Sequence, residues 1–97
     1  MDTVRTTFEL SAEIALATLR PEERDQVLAT LRRLGADSST IQKSPMVKKI
    51  GGSPGLFVLR VGERLRVLFS IEPDRSVLVR DIVSQGQVDA YRRQAAG

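Results

Sequence analysis

The sequence predicts an α+β fold: a small antiparallel β-sheet with an N-terminal α-helical hairpin on one face and a short C-terminal helix. Two observations carry this prediction. Apolar residues recur at helical spacing in residues 11–34, and they alternate with polar residues in the segments after residue 55. Turn-forming residues separate those segments, as expected for strands joined by short loops. With 97 residues, the chain suits one domain spanning residues 1–97.

A strand and two helices are predicted in the N-terminal third. The alternation VRTTFEL over residues 4–10 predicts the strand. Ser11 is a suitable N-cap for the first helix, and Pro21 suits the first position of the second helix, which Gly35 would end. We expect these two helices to form a hairpin that covers one face of the sheet. The apolar side of the second helix consists of Val27, Leu28, Leu31 and Leu34.

The central segment, residues 36–55, contains turn formers and little periodicity, and therefore predicts a long connection. Loops of that length in compact domains are usually functional or mobile. The remaining predicted elements are strands at about residues 56–61, 64–71 and 76–83, and a helix over roughly residues 87–95.

The register of the middle hairpin decides which face each of its arginines occupies. A two-residue turn at Gly62 and Glu63 would place Leu59 opposite Arg66 and mix apolar with charged side chains. A three-residue loop collects the large apolar side chains on one face instead. Burying each of them is worth roughly 1.5 to 3 kcal/mol, so we predict the three-residue loop. The predicted pairs are Val61 with Leu65, Leu59 with Val67, and Phe57 with Phe69.

Three arginines lie on the opposite face in this register. Arg60 lies opposite Arg66, and a loop over EPDRS places Arg80 opposite Leu68 on the same side. Like charges at adjacent cross-strand positions are unfavourable in a sheet alone, whereas a phosphate backbone would favour them. Two interpretations stay open at this point, a surface that binds a polyanion and a solvated basic face. The acidic residues at its margins are Glu63, Glu72 and Asp74.

The composition limits the possible chemistry. The sequence contains no cysteine and no histidine, so we expect neither a metal site nor a cofactor. Any general base must then be a residue other than histidine. Residues 1–42 hold five basic and seven acidic side chains, whereas residues 43–97 hold ten basic and five acidic ones. This asymmetry favours an anionic partner for the second half. Without a signal-peptide pattern or a long apolar run, we expect a cytoplasmic protein with no membrane segment.

Five segments in order, FELSAEIALATL, PEERDQVLATLRRL, VKKIGGSPGLFVLRVGERLRVLF, VLVRDIV and AYR, resemble the RelE/ParE superfamily of bacterial toxins over nearly the whole chain. The most specific part is residues 48–69, with a lysine-rich approach, G-x-P-G-hydrophobic, an L-R-V strand and an R-V-hydrophobic strand. The pair Tyr91 and Arg92 is a second match. The resemblance implies a small antiparallel sheet with two N-terminal helices on one face and an exposed concave face opposite.

The resemblance implies one of two activities. RelE-like members cut messenger RNA in the decoding site of the ribosome, whereas ParE-like members share the fold and poison DNA gyrase. It also implies an antitoxin as protein partner, and we expect the free toxin to be a monomer. A third alternative is a toxin-fold module without activity that only binds an antitoxin or RNA.

The resemblance also implies site residues. Arg60, Arg66 and Tyr91 fall at the catalytic positions of RelE-like enzymes, and either Lys48 or Lys49 would act as base. The sequence departs from the pattern at Val58, where a basic residue is common, and at SQGQ before the last helix. The predicted catalytic residues are Arg60, Arg66, Tyr91 and Lys49, and the predicted nucleic-acid contacts are Lys48, Arg64, Arg80 and Arg92.

Overall fold

A five-stranded sheet in the order β1-β5-β4-β3-β2 forms the centre of the protein. The computed structural model describes residues 5–34, 44–50, 55–84 and 86–88. Strand β1 runs parallel to β5, and the other neighbouring strands are antiparallel, which confirms the predicted α+β class. The elements are β1 (Thr6–Phe8), α1 (Leu10–Thr18), α2 (Pro21–Leu34), β2 (Val47–Lys49), β3 (Leu56–Val61), β4 (Leu65–Ile71) and β5 (Val77–Ser84).

The first strand is shorter than predicted, because α1 begins at Leu10 rather than after Ser11. Glu9 occupies the N-cap position, and its backbone N–H donates to the carbonyl of Val79 at 2.9 Å. The side chain of Ser11 caps nothing in α1 and donates instead to the carbonyl of Arg80 at 2.7 Å. The apolar alternation that assigned Leu10 to the strand is misleading, since this side chain is 70% exposed.

The two helices pack on one face of the sheet, as predicted. Ala12 of α1 and Val27 and Leu31 of α2 are buried in one cluster with Val67 and Phe69 of β4. Helix α2 begins at Pro21 as predicted, whereas the predicted stop at residue 35 lies outside the described residues. Within the described part of the chain, neither helix has the length and apolarity needed to cross a membrane.

The segment predicted as a long connection contains strand β2, which is a correction. Lys48 pairs with Val58 across the antiparallel β2–β3 ladder. The pairing extends beyond the strand, since the N–H of Arg60 donates to the carbonyl of Met46 at 2.8 Å. A strand of three residues with one buried side chain is too short to show an alternating pattern, which is why the sequence does not reveal it.

The hairpin between β3 and β4 has the predicted three-residue loop and register. All three predicted apolar pairs form, and Arg60 lies directly opposite Arg66. The rings of Phe57 and Phe69 stack with their centroids 5.6 Å apart. The loop begins at Gly62, whose φ of 63° lies in the left-handed region that favours glycine. Apolar burial therefore decides the register, as the energetic comparison predicts.

A β-bulge changes the predicted register in the second half of β5. Phe69 pairs with Val79 as predicted, but Leu68 pairs with Asp81 and not with Arg80. The extra residue reverses the faces beyond it, so Ile82 faces the helical side and is 7% exposed. Without the bulge, the carboxylate of Asp81 would point into that apolar core, which is costly.

The face opposite the helices is only partly open. A second apolar cluster lies there, and it includes Val88 from residues 86–88, which are helical. The implied exposed face is therefore corrected for this part of the sheet. The rest of the predicted C-terminal helix, with Tyr91 and Arg92, lies outside the described residues. The buried members of the cluster are Ile50, Val58, Leu68, Val83 and Val88.

Candidate anion-binding site

An open pocket of about 210 Å³ lies on this face, where strands β2, β3 and β4 meet. Strand β2 contributes a lysine, and strands β3 and β4 contribute one arginine each. Apolar side chains from β3 and from the turn before β2 form the rest of its wall. Its lining residues in the described part of the chain are Pro45, Met46, Lys48, Val58, Arg60 and Arg66.

Strand pairing brings the three cations together. Arg60 and Arg66, called the arginine pair below, are direct cross-strand partners, and Lys48 is the partner of Val58, two residues before Arg60. Residues two apart on a strand share a face, so Lys48 lies on the face of the arginine pair. The pocket thus follows from the registers of two adjacent ladders.

The arginine pair is held by backbone carbonyls. Arg60 donates its Nε–H to the carbonyl of Gly62 at 3.2 Å, and Arg66 donates from Nη1 to the same oxygen at 3.5 Å. Arg66 Nη1 also donates to the carbonyl of Leu65 at 2.7 Å. A guanidinium has five N–H donors, so most donors of each arginine stay available to an anion. Within the described residues, neither guanidinium forms an ion pair with a carboxylate.

Lys49 does not join this pocket. It pairs with Phe57, whose ring belongs to the core beneath the helices, so its side chain lies on the other face from Lys48. Of the two lysines weighed as a base, the pocket contains Lys48 and excludes Lys49. The assignment of Lys49 to the same site as the arginine pair is therefore corrected.

Arg64 points toward the helical layer. It forms an ion pair with Glu23 of α2, and this hydrogen bond is the main reason that the pKa of Glu23 lies below its usual value. The Arg64 side chain remains 70% exposed, but its charge is partly balanced. Arg64 therefore lies outside the pocket, and its role as a nucleic-acid contact stays a prediction.

Arg80 is also separate from the pocket. Its Nε lies 3.0 Å from Oε1 of Glu9, so its charge is already paired. The partner of Arg66 on β5 is Val83, which is three residues after Arg80. Three residues of strand span about 10 Å, so Arg80 lies far along β5 from the arginine pair. The predicted convergence of three arginines is therefore wrong, and the structure replaces it with two arginines and one lysine.

Sequence reasoning missed Pro45 and Met46, which form the apolar side of the pocket. Neither residue belongs to a periodic pattern. They reach the pocket because residues before β2 continue its pairing with β3, and only recognition of that strand would have revealed them.

The pocket is suited to a phosphate group. Guanidinium groups bind two phosphate oxygens at once and stay protonated at working pH, so the arginine pair can hold an anion but cannot accept a proton. Lys48 adds a third cationic side chain to the same lining. In the described part of the chain, no group of three or more acidic side chains could hold a metal ion.

Comparison with known proteins identifies the fold. No protein-family model and no curated protein matches the sequence. A chain of the RelB–RelE antitoxin–toxin complex from Methanococcus jannaschii has a TM-score of 0.69 and 16% identity, covering 88% of this chain and 96% of that chain. A chain of the archaeal RelE–RelB complex from Pyrococcus horikoshii OT3 has a TM-score of 0.69 and 21% sequence identity, and the match covers 89% of this chain and 99% of that chain. A chain of the intact RelBE toxin–antitoxin complex of E. coli has a TM-score of 0.67 and 15% sequence identity, and the match covers 82% of this chain and 94% of that chain. This chain therefore has the RelE-type toxin fold.

Proposed function

We propose that this protein is the toxin of a type II toxin–antitoxin pair, a RelE-like endonuclease that cuts messenger RNA on the ribosome without a metal ion. The fold shared with RelB–RelE complexes supports the toxin role. The observation that carries the activity on RNA is the pocket: it holds Lys48 and the arginine pair, with no acidic partner in the part of the chain that the structure describes.

Cleavage of RNA by its own 2′-hydroxyl needs a base for that hydroxyl, positive charge around the phosphorane, and an acid for the leaving oxygen. The arginine pair supplies the positive charge. Because a guanidinium cannot take the proton, we assign the removal of the 2′-hydroxyl proton to neutral Lys48, in place of Lys49. The lysine ammonium formed in this way then gives that proton to the leaving 5′-oxygen. Both roles use side chains that the strand pairing already places on one face.

The apolar side of the pocket suits the base of an unpaired nucleotide. Met46 and Pro45 can contact a base while the arginine pair holds its phosphate, since single-stranded RNA is recognised through both parts. Tyr91 and Arg92 lie outside the described residues and keep their proposed roles, Tyr91 as a catalytic residue that stacks on the RNA and Arg92 as a nucleic-acid contact.

Induced expression in bacterial cells tests this function. We expect the wild-type protein to stop translation, and we expect primer extension to reveal messenger RNA cut within translated regions. Arg66→Ala should abolish both effects, because it removes a guanidinium from the pocket. Arg80→Ala is the matched control: it removes the same type of side chain outside the pocket and should keep the activity.

Other results would support the alternatives. Intact messages together with DNA damage would indicate a ParE-like inhibitor of DNA gyrase. Harmless expression of a folded protein would indicate an inactive toxin-fold module that only binds an antitoxin. Val58 favours this last alternative, because a buried valine stands where the RelE pattern often has a basic residue.

The proposed protein partner is an antitoxin. The similar structures are complexes of a RelE with a RelB, which supports an antitoxin for this chain. An acidic segment of such a partner would neutralise Lys48 and the arginine pair and keep RNA out. The expected gene arrangement is an adjoining short reading frame that encodes an acidic protein.

A further inference from the structure

The turn of residues 62–64, called the β3–β4 turn below, contacts both members of the arginine pair. The carbonyl of Gly62 accepts from Arg60 Nε at 3.2 Å and from Arg66 Nη1 at 3.5 Å. Two neighbouring guanidinium groups repel each other, and a shared carbonyl oxygen offsets part of that repulsion. The direction of this one carbonyl therefore influences where both positive charges lie.

Helix α2 holds the β3–β4 turn at two points. Glu23 forms the ion pair with Arg64, the last residue of the turn. One helical turn further on, the side chain of Gln26 lies against Gly62, where an added Cβ would come within 3.1 Å of its Nε2. Residues three apart on a helix are neighbours on its surface, so the two contacts act on the turn from the same side.

Helix α2 itself is firmly anchored. Val27, next to Gln26, is 0% exposed, and Leu31 is 5% exposed in the core against the sheet. A helix fixed by such burial can hold a surface turn in place. The path from the buried side of α2 to the pocket thus consists of direct contacts.

We propose that Glu23 and Gln26 are positioning residues, which hold the β3–β4 turn, and through it the arginine pair, in the orientation that receives a phosphate of bound RNA. This inference rests on the proposed function. Neither residue lines the pocket, so each acts on the arginine pair through the turn.

Charge alone predicts the opposite result for Glu23. Glu23→Gln removes a negative charge, and a more positive protein should bind RNA more tightly. Positioning predicts weaker binding, because the turn loses its ion pair with α2. The sign of the change in affinity therefore separates the two explanations.

The experiment measures binding of a short single-stranded RNA by fluorescence anisotropy. We expect Glu23→Gln to bind roughly two- to fivefold more weakly than wild type, the size of effect typical of an exposed ion pair. Glu22→Gln is the matched control, since Glu22 also lies in the first turn of α2 and has no ion pair among the described residues. It should bind at least as tightly as wild type. The charge exchange E23R/R64E should restore the wild-type affinity.

A second measurement does not need RNA. The Nε–H of Arg60 should exchange with solvent faster in Glu23→Gln than in Glu22→Gln, as followed by 15N NMR, because its acceptor at Gly62 becomes less fixed. Equal exchange and equal RNA affinity in the two variants would overturn the positioning inference. A wild-type protein without RNA affinity would overturn the proposed function instead, and the exchange rates would still decide the role of Glu23.

A pair of glycine variants tests the same turn from its backbone. Gly62 and Gly55 have φ values of 63° and 75°, so alanine strains the backbone at both positions. At Gly62 the added Cβ would also press on the side chain of Gln26, whereas at Gly55 it would meet nothing within 4 Å. Only Gly62 contacts the arginine pair. We expect Gly62→Ala to reduce RNA affinity relative to Gly55→Ala at matched thermal stability. Equal affinities would contradict a role of the Gly62 carbonyl.

Discussion

The pocket predicts how strongly the affinity for single-stranded RNA depends on salt. Each phosphate contact on a single strand contributes about −0.7 to the slope of log Kobs against log salt. If Lys48 and the arginine pair each contact one phosphate, the slope is about −2.1. Affinity should then fall about 18-fold between about 50 and 200 mM salt.

Single substitutions should change this slope only inside the pocket. Arg66→Gln removes one contact, so the slope should become about −1.4 and the loss over the same salt range about sevenfold. Arg80→Gln should leave the slope at the wild-type value, because Glu9 already balances Arg80 away from the pocket. Lys48→Gln should behave like Arg66→Gln, whereas Lys49→Gln should behave like wild type, since strand β2 places the two lysines on opposite faces.

Anisotropy titrations at four or more salt concentrations, with far-UV circular dichroism to confirm folding, measure these slopes. The comparison of Lys48→Gln with Lys49→Gln is the sharpest, because the two variants have the same net charge. Equal slopes for these two variants would refute the assignment of the site to one face of the β2–β3 ladder. An Arg80→Gln slope as shallow as that of Arg66→Gln would extend the site beyond the pocket.

Two further predictions concern stability and titration. The pKa of Glu23 is lowered chiefly by Arg64, so the ion pair should contribute fully above the ordinary glutamate pKa and be lost as pH falls through the lowered value. A 13C NMR titration should show that Arg64→Gln returns this pKa upward, and an unchanged value would exclude the ion pair. Phe69→Ala should cost about 3 to 5 kcal/mol in urea unfolding, because this ring is fully buried. Leu10→Ala should cost no more than about 0.5 kcal/mol, and similar losses would contradict the burial pattern.

The β3–β4 hairpin could be predicted because a single register buries most of its large apolar side chains. Slipping it by one residue would expose Phe57, Leu59 and their partners at once, a penalty far larger than any turn preference. The position of Arg60 opposite Arg66 follows directly from that constraint. Half of the pocket is therefore predictable from alternation alone.

The bulge in β5 could not be predicted from alternation, because VLVRDIV fits an uninterrupted strand. The sequence does contain one signal: the uninterrupted strand would turn Asp81 toward the apolar core. An extra residue at Arg80 resolves that conflict and turns Ile82 inward. A carboxylate at a predicted core position is thus a reason to consider a bulge.

The choice between Lys48 and Lys49 depends on the partner of their strand. In a segment assigned as a loop, the two side chains have no defined faces, and either lysine could serve the site. Once Val47 is buried against the sheet, strand geometry places Lys48 with the arginine pair. Three residues with one buried member contain too little pattern to reveal that pairing.

The parallel pairing of β1 with β5 has a consequence for synthesis on the ribosome. Phe8 pairs with Val79, so β1 cannot pair with β5 until the ribosome has added 71 more residues. The segment from Pro45 to the end of β4, which contributes every described residue of the pocket, needs only pairings between near neighbours in the chain. Contacts between near neighbours form early, whereas distant ones form late. A nascent chain can therefore assemble its cationic pocket while the opposite edge of the sheet still lacks its outermost strand.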